Sequence, residues 1–155
     1  MRYKSWANDR MFRWLSQLSH QELMAERATV FRNILGTVYH TYMMDVAWQA
    51  RLKGRPHGVS VDNPECKLTL LELSGKHFEI DQWFIEYTDN LKPAALNEVV
   101  NFKFINGEAA TMSRGEILLH AVNHGSYHRA HIDNIHPISV TAPLTDFSVF
   151  LKEGC

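Results

Sequence analysis

Apolar residues recur at intervals of three and four along four long stretches of the chain, and that spacing predicts helices. The first stretch runs from Tyr3 to Gln17, with Trp6, Met11, Trp14, Leu15 and then Leu18 on one helical stripe. "SHQE" follows with the signature of a capping box, Ser19 at the N-cap and Glu22 three residues on. A second helix is expected from about Thr29 to Lys53, stopped by Gly54 and the turn at Pro56. "GRPHGVSVDNPE" reads as a loop. A third helix, from Lys67 to about Asn90, carries Leu68, Leu71, Phe78, Trp83, Phe84 and Tyr87.

The pattern then changes. "NEVVNFKFINGEAAT" gathers β-branched and aromatic residues around Asn106-Gly107, a dipeptide suited to a type I′ turn, and predicts a short hairpin. Ser113 and Glu116 repeat the capping-box signature and open a fourth helix reaching about Ile135. "TAPLTDFSVFLKE" predicts a short closing helix. The expectation is an all-α fold: one domain over residues 1–155, a four-helix bundle with a β-hairpin between the third and fourth helices.

Composition narrows the partners. Sixteen basic residues against seventeen acidic ones give no electrostatic reason to expect nucleic acid or an anionic membrane. No apolar run approaches the roughly 20 residues that cross a bilayer, and the N-terminus lacks the apolar segment of a signal peptide. The two cysteines, Cys66 and Cys155, make a poor disulfide framework and fit reduced thiols in a cytoplasm.

The candidate chemistry lies in "HAVNHGSYHRAHI", where four of the nine histidines fall within residues 120–132. At about 100° per residue, and with His120 at 0°, His124 falls near 40°, His128 near 80° and His131 near 20°. The apolar stripe of Ile117, Ile135, Ala121, Ile132 and Leu118 centres near 90 to 100°. His124 and His128 therefore point inward, spaced i,i+4, while His120 and His131 sit on the flank. An i,i+4 pair of imidazoles is a recurring metal-ligand geometry; the alternative is two buried histidines held by hydrogen bonds. Two imidazoles on an apolar face need something that satisfies both.

The second helix offers a third nitrogen. His40 lies at the margin of a face formed by Val30, Trp48, Ile34, Leu52 and Val38, so it reads equally as a ligand at a pocket edge or a half-exposed surface residue. Asp45 falls inside that apolar face. It is expected to serve either as an acceptor orienting a ligand histidine or, in preference, as a structural ion-pair partner of Arg129.

"HAVNHGSYHRAHI", preceded by "MSRGEILL", and "YHTYMMDVAWQARLKG" together resemble the DinB family of DNA-damage-inducible proteins, which is unrelated to the polymerase of the same name. The similarity spans nearly the whole chain, from "YKSWANDRMFRWLSQLSHQEL" to "TAPLTDFSVFLKE". It implies a divalent metal held by three histidines, which on this sequence are His40, His124 and His128. Beyond the H-x-x-x-H-R pattern this chain has Ala130-His131 where the family usually has Gly-Gln. Imidazole ligation suits Zn²⁺ or Ni²⁺, and also Fe²⁺. The resemblance further implies a homodimer and a metal-dependent transferase of the thiol-S-transferase type, or a hydrolase, acting on a small molecule. The other reading is a non-catalytic metal-binding stress-response protein. Tyr127, His120 and His131 are the candidates for proton transfer or substrate contact.

Overall fold

The computed structural model of the chain describes residues 1–27, 30–59, 66–104, 106–135 (residue 135 by its backbone alone) and 140–153. Among them run six α-helices: α1 (Arg2–Leu15), α2 (His20–Met24), α3 (Ile34–Leu52), α4 (Leu70–Asp89), α5 (Arg114–Ile135) and α6 (Phe147–Glu153). A 3₁₀ turn, Pro93–Asn97, and the antiparallel strands β1 (Val99–Lys103) and β2 (Ala109–Ser113) separate α4 from α5. The four long helices form the bundle. α1 packs on α4 and α5, and α3 packs on the same two, so α1 and α3 lie across a diagonal. None of the described helices is long and apolar enough to cross a membrane.

Caps set the boundaries. The Ser19–Glu22 box opens the five-residue α2, and Ser113–Glu116 opens α5, with the Ser113 N–H donating to Glu116 Oε2 at 2.7 Å. A third box, Thr69 with Glu72, starts α4 at Leu70, three residues later than expected. α3 also starts late. Asn33 caps it by accepting from the Gly36 N–H at 2.7 Å, and the expected start at Thr29 lies outside the described residues. Val30, expected on the buried face of that helix, is 86% exposed because the helix never reaches it.

The hairpin turn differs from the expectation. Phe104 N–H donates to Glu108 O at 2.8 Å and Gly107 N–H to Phe104 O at 2.9 Å. Three residues thus span the turn, and the positive φ, 88°, falls on Gly107 and not on Asn106. This is a three-residue loop ending in a left-handed glycine, not a two-residue type I′ turn.

The core has two apolar halves. Met11, Phe12, Leu15, Ile34, Leu35 and Leu73 fill one. Trp48, Leu52, Ile80, Phe84, Ile117 and Leu118 fill the other. A buried polar layer lies between them. Lys4 Nζ, on a side chain 1% exposed, stands 2.6 Å from Asp45 Oδ2 and 2.5 Å from Asp81 Oδ1. Asn8 donates to Asp81 Oδ2 at 2.8 Å, and Arg129 donates to Asn8 Oδ1 at 3.0 Å. Asp45 is therefore paired with Lys4, not with the expected Arg129, whose guanidinium is taken up by Asn8 and Ser126. Two cations and two carboxylates balance, which is the condition for burying charge at tolerable cost. Burial still pushes the Asp45 carboxyl up to about 6, against the pull of Lys4. α6 closes the bundle over α1: Phe150 meets the rings of Tyr3 and Trp6, and Glu153 accepts from Trp6 and Arg10.

Candidate metal centre

α3 and α5 are neighbours in the bundle, and their contact brings His40 to His124 and His128. One ring nitrogen from each of the three lies within 4.8 Å of the other two. His124 and His128 occupy successive turns of α5, and their Nε2 atoms are 3.1 Å apart. The His40 ring centroid stands 5.3 Å from that of His124 and 4.9 Å from that of His128. Phe31 stacks on the His40 ring at 4.1 Å and meets His128 edge-on at 5.4 Å, an apolar cover over two of the three imidazoles.

The protonation states follow from burial. Desolvation pushes His40 down to about 4 and His128 to about 4. His124 is pushed to about 3, mainly by burial and further by the facing histidines. All three are neutral near pH 7, and each imidazole then carries one lone pair. The two facing Nε2 atoms can share one proton at most, and the Nδ1 of His128 is buried without a hydrogen-bond partner. Converging lone pairs with no carboxylate among them fit a cation better than a hydrogen-bonded histidine cluster. The donor set, three neutral nitrogens of intermediate softness, matches Zn²⁺, Ni²⁺ or Fe²⁺ more closely than Ca²⁺ or Mg²⁺.

The other candidate residues border this cluster. The His120 ring stacks 5.7 Å from His124 and meets Trp48 edge-on at 4.8 Å. His131 lies 5.6 Å from His128. Tyr127 is 60% exposed and touches His128 and His131 edge-on, at 5.1 and 4.2 Å. Asp45 and Arg129 line a small cavity with His124 but belong to the polar layer beneath it.

Sequence reasoning missed Phe31, Lys4, Asn8, His77 and Asp81. Phe31 lies outside any helix and carries no periodic signal. Lys4 was legible, because it shares a stripe with Ala7, Met11 and Leu15, all buried. His77 and Asp81 likewise sit among Leu73, Ile80 and Phe84 on the buried face of α4. One buried cation and two buried carboxylates on three helices call for one another.

A four-helix bundle that gathers three neutral imidazoles from two adjacent helices belongs to the class whose cores could hold a metal ion. The chain belongs to the DinB family, whose model matches residues 1–135. It is also similar to Protein DinB of Bacillus subtilis (strain 168), with 23% identity over 157 residues covering 96% of this chain and 90% of that protein.

Proposed function

We propose that this chain, acting as one cytoplasmic domain, holds a divalent metal ion on His40, His124 and His128 and acts on a small molecule as a metal-dependent transferase of the thiol-S-transferase type or as a hydrolase. The observation that supports this reading is the incomplete donor set. Three neutral imidazoles converge, and among the described residues no cysteine or carboxylate joins them. Structural zinc sites generally close with four protein ligands, whereas three leave room for water or substrate.

When bound, such an ion supplies Lewis acidity, lowering the pKa of a coordinated water to about 7 or stabilising a thiolate. The chain's own residues prepare that chemistry. Burial keeps the three imidazoles unprotonated at neutral pH. Phe31 covers one side of the cluster and excludes water there. Tyr127 Oη, on an exposed side chain beside His128, is available to pass a proton between the site and solvent, as is the half-buried His120 ring. The substrate is a small molecule, with a low-molecular-weight thiol as the co-substrate in the transferase reading, and the protein works as a homodimer.

The test is elemental analysis of the purified protein combined with thiol-transfer and ester-hydrolysis screens of the metal-loaded and chelated forms. Stoichiometric Zn or Ni with activity that disappears on chelation is expected. Stoichiometric metal with no turnover in either screen would favour the non-catalytic metal-binding reading, and protein purified and reconstituted without metal uptake would end both.

A further inference from the structure

We propose that the groove between the C-terminal turn of α3 and the hairpin binds the carboxylate of a small organic acid, with Arg51 as its anchor. Arg51 is 6% exposed. Its Cζ lies 4.2 Å from the Trp48 ring and 4.7 Å from the Phe102 ring, and its Nη2 donates to the Lys103 carbonyl at 3.1 Å. Its Nε is buried without an acceptor. No described carboxylate lies within ion-pair distance of it. The other deeply buried cations differ: Lys4 has two carboxylates, and Arg129 reaches one through Asn8. Ring faces and one carbonyl offset part of the cost of burying a guanidinium, but they leave its charge uncompensated.

The space beside it suits an anion. A groove of about 450 Å³ is lined by Arg51, Arg55, His57, Asn101, Phe102 and Lys103, together with Pro56 and two glycines. That is the volume of a site for a small molecule. Three of these side chains are cationic and none is acidic, so the local field rewards a negative charge. The positive character reaches further: beyond the effect of burial, Arg51 also holds His57 below its ordinary value. A guanidinium presents a planar fork that matches a carboxylate. Phe102 and Pro56 add apolar walls, which favour an organic acid over a bare inorganic oxyanion. Gly54 and Gly58, both at φ +64°, shape the turn that borders the groove, and nothing lies within 4 Å of where their side chains would be.

The inference rests on the groove and is independent of metal at the histidine cluster. Benzoate is the probe, titrated into the full-length ¹⁵N-labelled protein, with the Gly54, Gly58 and Lys103 amides and the Arg51 Nε–H followed by NMR. Saturable shifts at these positions are expected, with benzamide, the neutral isostere, and inorganic phosphate binding at least about tenfold more weakly, as the loss of a charge-assisted hydrogen bond or of the apolar contact predicts. Arg51→Met should weaken benzoate about tenfold or more, and Arg55→Ala, at an exposed position that leaves the core untouched, about threefold. His124→Ala should bind benzoate as the parent does, so that a failure of the metal reading leaves this one standing. Equal binding of benzoate and benzamide, phosphate binding as tightly as benzoate, or undiminished affinity in both arginine variants would overturn the assignment.

Discussion

The Nε2 atoms of His124 and His128 face each other across 3.1 Å, one helical turn apart, with the His40 ring set against both. Two acceptors cannot remain that close without a proton or a cation between them. Burial of all three rings makes a positive charge on any one of them costly, so neutral imidazole is the resting form of the cluster.

A histidine series separates ligands from neighbours. Alanine at His40, His124 or His128 should each reduce bound metal to trace levels, while alanine at His120 or His131 should leave it stoichiometric. Elemental analysis of the five purified variants decides, and full retention in the His124 variant would sink the three-histidine set. In the parent, chelation should lower the melting temperature by several degrees, because an ion held about a hundredfold above its dissociation constant contributes roughly 2.7 kcal/mol.

Lys4 tests the polar layer. Lys4→Met leaves Asp45 and Asp81 buried without their cation, and breaking a buried pair in this way costs about 3 to 5 kcal/mol. Asp45→Asn should cost less, because Lys4 keeps Asp81. Urea unfolding of both variants measures the difference. A Lys4→Met protein as stable as the parent would mean that the layer carries little of the fold's stability.

His77 gives a pH dependence with a definite sign. Burial pushes it from 6.5 down to about 4, with its Nε2 donating to the Val38 carbonyl. Because the folded value lies below the unfolded one, the unfolded chain binds more protons between those two pH values. Stability contributed by this residue is therefore present above pH 6.5 and lost as the pH falls toward 4, by about 3 kcal/mol in all. His77→Gln, which retains a donor near the same position but does not titrate, should flatten that part of the stability profile. Parallel profiles for the two proteins would refute the assignment.

Gly36 controls the cover of the site. A Cβ there would stand 2.3 Å from the Phe31 carbonyl oxygen, a backbone atom that cannot simply rotate away. Gly36→Ala should displace the segment that stacks Phe31 on His40 and destabilise the protein by about 1 to 3 kcal/mol. The measurements are thermal unfolding and the chemical shifts of the His40 ring. Unchanged His40 shifts would show that Phe31 keeps its place by another route.

Much of the architecture was legible from local pattern. The long helices, the two recognised capping boxes and the hairpin need only residues within a turn or two of each other. The structure departs from the local pattern where a local signal has a competitor. The apolar run near Val30 suggested helix, but Asn33 caps the chain three residues later. In "KLTLLE" Leu68 extends the helical pattern ahead of the Thr69–Glu72 box, which starts α4 only at Leu70. Asn106-Gly107 fits two turn types, and the register of β1 with β2, Lys103 opposite Ala109, selects the longer one.

The histidine site divides in the same way. A 3.6-residue period determined by itself that His124 and His128 share the inward face of one helix, because that relation lies within a single element. Whether His40 joined them or faced solvent depended on which helices are neighbours, and the α3–α5 contact decided it. Tertiary structure also gave Asp45 its partner on the diagonally opposite helix, and it left Arg51 buried against two rings without a carboxylate. Hydrogen-bonded turns and helix faces are local and can be read along the chain. Charge compensation and the convergence of three imidazoles are distances between elements, and only the packed bundle sets those distances.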